Sequence, residues 1–239
     1  MGRVFEKRKH KMFARYAKMA KAFTRIGKDI AMCVKVGGPD PDGNSRLRSI
    51  IQNAKAINMP KANIDAAIKR ASSKDEKGYE EVIYEGKGPH GVCILIETAT
   101  NNPTRTVANI RMHFSKGDGS LGKTGSLDFM FTRKGVFKIE AGNINVEELE
   151  LELIDYGADE IVKEDNDIFI YTAFTDFGGM QKALEEKGIN VVSSELTRIP
   201  TTYVEGLSEE QEKEVLKLID MLEEDDDVQV VYSNMATSA

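Results

Sequence analysis

Apolar residues in the first third of this chain recur every three or four positions, whereas from Tyr79 onward they fall in short alternating runs separated by helical stretches. A segment of one period does not settle into the other structure, because side chains repeat about every 3.6 residues in a helix and about every 2 in a strand. The change of period therefore splits the chain into a helical part and a mixed part. Charge splits at the same place. Residues 1–77 carry 19 Lys and Arg against 7 Asp and Glu, a balance of +12, while residues 78–239 carry 14 against 32, a balance of −18. The net charge of −6 conceals this division. An average acidity would argue against a polyanionic partner, but a segregated basic block is the electrostatic footprint of a nucleic-acid contact.

Lys11 to Val36 reads as one amphipathic helix. At about 100° per residue, Met12, Tyr16, Met19, Phe23, Ile26, Ile30 and Val34 share a stripe about 80° wide. Lys11, Arg15, Lys18, Lys21, Arg25, Lys28 and Lys35 spread over the other side. Gly37-Gly38-Pro39 should end it, since glycine takes the left-handed cap and proline cannot continue the ladder. A second helix fits Asn44 to Asn58, capped by Asn44 or Ser45, with Leu47, Ile50, Ile51, Ala54 and Ile57 buried. A third begins at Pro60 and buries Ile64, Ala67, Ile68 and Ala71, leaving Lys61, Lys69 and Arg70 outside. Residues 72–78 then read as a linker.

The remainder reads as strands at 79–85, 91–98 and 126–131 with a helix at 103–115. Strand 135–140, helix 146–156, strands 159–163 and 168–173, helix 177–187 and strand 190–198 follow in the β-α-β-β-α-β order of a ferredoxin-like unit. Pro200 should break the run, and a strand near 202–205, a helix from Ser208 to about Glu224 and a strand at 228–232 close the chain. The expected class is α+β: a three-helix basic domain (1–77), a middle domain (79–135 plus 201–239) and a ferredoxin-like domain (136–200) inserted into it.

Several motifs lack the context their chemistry needs. Residues 117–124 satisfy G-x-x-x-x-G-K-[ST], but a phosphate loop follows a strand and opens a helix, whereas here a helix precedes and a strand follows. A flexible Gly-rich connection is the expectation. Asp40, Asp42 and Asn44 resemble the start of a calcium loop, yet Ser45 and Ile51 stand where glycine and glutamate are required. Gly2 is not followed by Ser or Thr at position six, so a myristoyl anchor is not expected. His10, His90 and His113 have no metal-ligand spacing, and Cys33 and Cys93 form no C-x-x-C pair, so both read as reduced core residues. No catalytic constellation, metal site or cofactor motif emerges. No apolar run is long enough for a membrane helix, and the basic start lacks the apolar stretch of a signal peptide, so a cytoplasmic location is expected.

What remains is the basic block. The candidate nucleic-acid-binding residues are Arg3, Lys7, Arg8, Lys9, Lys11, Arg15, Lys18, Lys21, Arg25, Lys28, Arg46, Arg48, Lys61, Lys69 and Arg70. Arginine offers a bidentate fork to phosphate and lysine a point charge. The cluster ahead of the first helix reads as a flexible basic arm that orders on binding. The acidic remainder, including the run Glu223 to Asp227, is a solvated surface or a contact for a basic protein partner. No membrane or small-molecule substrate is implied.

Four stretches carry a resemblance: GGPDPDGNSRLRSIIQNAKAINMPKANIDAAIKRA (37–71), YEEVIYEGKGPHGV (79–92), NNPTRTVANIRMHFSKGDGSLGKTGSLDFMFTRKGVF (101–137) and LIDMLEEDDDVQVVYSN (218–234). Together they resemble the YebC family of probable transcriptional regulatory proteins, which includes the mitochondrial translational activator of cytochrome oxidase subunit one. The family's usual opening, GHSKWxxIKxRK, is replaced here by GRVFEKRKHKMFARY. The resemblance implies a three-domain α+β protein without enzymatic activity, cytoplasmic in bacteria, acting as a DNA-binding regulator of transcription. As the alternative, it implies an RNA-binding translation factor associated with the ribosome, since the mitochondrial relative acts in translation and bacterial relatives are connected with ribosomes and proline-rich nascent chains.

Overall fold

The computed structural model describes residues 2–73 and 78–236, with side chains from residue 19 onward. The chain divides into two compact units, Met1–Gly78 and Tyr79–Ala239.

The first unit holds three helices, α1 (Gly2–Gly37), α2 (Ser45–Ala56) and α3 (Lys61–Ala71). The expectation of an unstructured basic arm before Lys11 is corrected, because the helical backbone starts at Gly2. Between Arg3 and Arg25 there is no glycine or proline, and Arg, Lys, Glu, Met and Ala all favour the helix. Ile30, Cys33, Val34, Leu47, Ala54, Met59 and Ile64 form the core, with Phe23, Ile26, Ile50, Ile51, Ala67, Ile68 and Ala71 packed against it. Ile57 was expected in that core but is 36% exposed at the end of α2. Asn58 takes a left-handed turn (φ 59), which asparagine tolerates, and brings Met59 into the core instead.

Asn44 joins α1 to α2. Its Oδ1 accepts the Leu47 amide at 3.1 Å, while its Nδ2 donates to the carbonyls of Cys33 (3.1 Å) and Gly38 (3.0 Å). One buried side chain thus caps the start of one helix and satisfies carbonyls at the end of another. A Cβ at Gly37 would lie 2.6 Å from that nitrogen, so only glycine allows the approach.

The second unit contains two four-stranded sheets, antiparallel throughout. The first, in the order β3-β1-β2-β8, is built from β1 (Glu80–Lys87), β2 (Cys93–Thr100), β3 (Ser120–Leu121) and β8 (Val228–Ser233). Helices α4 (Pro103–Lys116) and α7 (Glu209–Glu223) cover one face, where Tyr84, Ile94 and Ile96 meet Ile110, Phe114, Val215, Leu218 and Leu222. On the opposite face Cys93 and Leu95 pack with Leu127 and Phe131, and Ile83 joins them. The second sheet, β5-β6-β4-β7, comprises β4 (Phe131–Glu140), β5 (Ala158–Glu164), β6 (Asp167–Ala173) and β7 (Val191–Pro200). With α5 (Val146–Leu153) and α6 (Phe177–Glu186) it forms the ferredoxin-like β-α-β-β-α-β arrangement around Phe137, Ile139, Leu153, Ile168 and Ile170. The fold class is therefore α+β, with a helical unit followed by two α/β sheets.

Two expected strands are absent. Residues 126–130 form a turn and a short 3-10 segment (Asp128–Met130) that feeds β4 at Phe131. The cause is Glu85, 3% exposed, whose carboxylate accepts the amides of Gly125 (2.7 Å) and Leu127 (2.5 Å) and the Ser126 hydroxyl (3.3 Å). An amide bonded to a carboxylate is withdrawn from a strand ladder. The same anchoring corrects the expectation of a slack connection at 117–124, since its continuation is held at both the Gly122 amide, bonded to the Glu85 carbonyl at 2.7 Å, and Leu127. Near 202–205 only a single bridge forms, Val204 with Met235, and Gly206 (φ 75) turns the chain away.

Asp227, also buried, accepts from Arg105 (2.6 Å), Thr106 (2.8 Å) and Thr100 (3.3 Å), fastening the end of β2, the first turn of α4 and the entry to β8. No described helix is long and apolar enough to cross a membrane.

Candidate nucleic-acid interface

The candidate interface lies on the helical unit, and the structure separates its cations by what each side chain does. On α3 the core side is taken by Ile64, Ala67 and Ile68, which turns Lys61, Lys69 and Arg70 outward, where all three are exposed. None of the three is ion-paired among the described residues. Arg46 and Lys21 are exposed as well, and Arg25 is half-buried. The side chains of Arg3, Lys7, Arg8, Lys9, Lys11, Arg15 and Lys18 lie outside the described residues, although the helix that carries them is continuous.

Two expected contacts are less open than the sequence suggests. Lys28 is only 7% exposed, which corrects its assignment to an open cationic side. A helical wheel places a residue by angle alone, whereas a long alkyl stem is readily covered even when it points away from the apolar stripe. Arg48 is half-buried, and its Nη1 donates to the carbonyls of Pro41 (2.9 Å) and Asp42 (3.1 Å). That guanidinium shapes the α1–α2 loop, in which Asp40 also accepts the Asp42 amide at 3.0 Å. The resemblance of this loop to a calcium site ends there: among the described residues no group of three or more His, Cys, Asp or Glu is placed to hold a metal.

Lys55 and Lys35, absent from the candidate set, are exposed on the same unit. Each helix ends with a cation in its last turn: Lys35 on α1, Lys55 on α2, Lys69 and Arg70 on α3. There they complement the partial negative charge of the helix C-terminus, a local signal available from the sequence. Exposed cations on all three helices can meet phosphate without a folding change, and their electrostatic reach extends about one Debye length, roughly 8 Å at physiological salt. Within the core beneath them, burial pushes the Cys33 thiol up to about 11, against the opposing pull of Arg46, so it stays protonated.

Known proteins share this architecture. Residues 3–74 match the family described as the TACO1/YebC protein N-terminal domain, and residues 79–235 match the TACO1/YebC second and third domain. A protein named "Probable transcriptional regulatory protein" in Cytophaga hutchinsonii is 58% identical over 236 residues, covering 99% of each chain. One of the same name in Flavobacterium johnsoniae is 54% identical over 235 residues, covering 98% of this chain and 99% of the relative. The crystal structure of a conserved hypothetical protein from Aquifex aeolicus superposes with a TM-score of 0.80 at 35% identity, over 92% of this chain and 91% of that one. With both halves matched and relatives this similar end to end, the chain belongs to the TACO1/YebC family.

Proposed function

We propose that the protein is a non-enzymatic, nucleic-acid-binding regulator of gene expression that contacts duplex DNA through the cationic surface of its helical unit. The observation that carries this reading is the set of outward cations Lys61, Lys69, Arg70 and Arg46 on a segment whose balance is +12. Relatives bearing the name of probable transcriptional regulators support the regulatory half of the reading. In this account the protein works in the cytoplasm as three domains, 1–77, 79–135 with 201–239, and 136–200. The basic domain supplies the main affinity for phosphate, and the acidic domains orient the complex or recruit a protein partner.

Binding of the full chain to duplex DNA, followed by fluorescence anisotropy between 50 and 200 mM salt, tests the proposal. If about 6 to 10 phosphates are neutralised, affinity falls by roughly 10³ to 10⁵ over that range. Affinity that ignores salt, or a preference below about 10³-fold for any genomic duplex over random DNA, rejects a sequence-reading DNA regulator. Ribosome co-sedimentation with unchanged transcript levels would move the target to RNA.

A further inference from the structure

We propose that the second unit carries a separate binding site for single-stranded nucleic acid, a stacking platform made by Phe129 and Tyr203 and flanked by Lys123 and Lys87. The inference rests on the nucleic-acid reading above but concerns a different surface and a different form of the ligand.

Phe129 is 75% exposed and Tyr203 is 52% exposed, although they belong to stretches more than 70 residues apart in sequence. The fold brings those stretches together. Phe131 pairs with Pro200 at the end of the second sheet, and the Met130 carbonyl accepts both the amide (2.8 Å) and the hydroxyl (3.2 Å) of Thr201. Phe129 and Tyr203 therefore stand on neighbouring segments just beyond the paired strands. A single exposed aromatic is an ordinary surface residue, but two carried on adjacent backbone segments offer two rings to one strand of unstacked bases.

The cations reach the same side through Glu85. On β1, Ile83 faces the cluster that contains Leu127 and Phe131, and Glu85 points that way to bind the Gly125 and Leu127 amides. Side chains alternate along a strand, so Lys87 emerges on that face too. Lys123 opens the tight turn closed by the Ser126 amide on its own carbonyl at 3.1 Å. Both lysines are exposed, and neither is ion-paired among the described residues. Of the acids on these segments, Asp128 pairs with Arg198 at 3.4 Å and Glu205 is exposed two residues beyond Tyr203. Exposed lysines and exposed aromatics on connected segments of a unit whose overall balance is −18 match a phosphate chain with unstacked bases. A duplex offers phosphates but keeps its bases stacked and out of reach of such a surface. The buried Glu85 anchor holds the turn in place before the ligand arrives, which lowers the ordering cost of binding.

The test uses the full chain with 12-nucleotide single strands, RNA and DNA, each carrying 2-aminopurine, and a duplex of the same sequence. Stacking contributes about a five- to 150-fold affinity factor per base. Phe129→Ala with Tyr203→Ala should weaken single-strand binding at least ~10-fold, abolish 2-aminopurine quenching and leave duplex binding and the melting temperature unchanged. Phe129→Trp with Tyr203→Trp should restore binding, and Lys87→Ala with Lys123→Ala should weaken it without removing the quench. The RNA and DNA arms identify which strand is preferred. Single-strand affinity that survives the double alanine change overturns the inference and leaves the helical-unit reading standing. Absence of binding by the unaltered chain to every strand and duplex overturns both.

Discussion

Arg198 on β7 donates its Nε to Glu97 on β2 at 2.8 Å, so the two sheets of the second unit are joined by a charge pair whose arginine is 6% exposed. The guanidinium also reaches Asp128 at 3.4 Å, and Glu97 accepts from the Tyr232 hydroxyl at 3.4 Å. Removing one member of a buried pair strands the other without its counter-ion, which costs more than the pair is worth. Arg198→Met is expected to lower stability by about 3 kcal/mol in urea unfolding, and adding Glu97→Leu should recover part of the loss. A single-variant loss below about 1 kcal/mol would mean the sheets are held by the Leu127 and Phe131 contacts instead.

Asn44 provides a sharper test, because its two ends do opposite work. Asn44→Ala should cost about 2 kcal/mol, combining a lost cap with two stranded carbonyls. Aspartate caps isolated helices as well as asparagine does. Here Asn44→Asp retains the acceptor for Leu47 but turns a carboxylate oxygen toward the carbonyls of Cys33 and Gly38. The aspartate variant should therefore be no more stable than the alanine variant, and chemical denaturation of the two side by side checks it.

Cys33 makes stability depend on alkaline pH. Its thiol is raised by burial from 9.0 to about 11 in the folded chain. Below pH 9 the thiol is neutral in both states and contributes no pH dependence. Between about 9 and 11 the unfolded chain releases this proton and the folded one holds it, so the stability tied to the neutral thiol is lost as pH rises. Cys33→Ala should flatten that part of the profile, and native Cys33 should react with a thiol reagent at pH 8 far more slowly than the unfolded chain.

The helical unit was legible because its information is local. Ile64, Ala67 and Ile68 at helical spacing fix which side of α3 is covered, and that alone turns Lys61, Lys69 and Arg70 outward. The same rule failed for Lys28, whose burial is not determined by its own wheel. It also failed for Ile57, displaced by one left-handed residue at Asn58. The start of α1 was missed although no breaker stands between Arg3 and Arg25, because no Ser, Thr, Asp or Asn precedes Gly2 to mark it. In the second unit every strand but the two-residue β3 (Ser120–Leu121) followed from alternation, yet the strand expected at 126–131 did not form. Its apolar pattern suits a strand, and only the distant Glu85 carboxylate withdraws the amides. Phe129 and Tyr203 were hidden for the same reason, since their proximity depends on the pairing of β4 with β7.

The division of labour among the cations yields the last prediction. Phosphate contacts release counter-ions, so each one removed lowers the slope of log affinity against log salt by about 1 on duplex DNA. Lys61→Ala, Lys69→Ala and Arg70→Ala together should reduce that slope by about 3. Their side chains are exposed, and stability should shift by no more than about 0.5 kcal/mol for each. Arg48→Ala should behave the other way. Its Nη1 is bonded to the Pro41 and Asp42 carbonyls, so the change should cost about 1 kcal/mol or more of stability while altering the slope little. Anisotropy titrations at four salt concentrations, paired with thermal unfolding of the same variants, separate the two classes. An Arg48 variant that lost as much slope as an α3 lysine would show that this α2 arginine reaches phosphate after all, and would extend the contact surface to the α1–α2 turn.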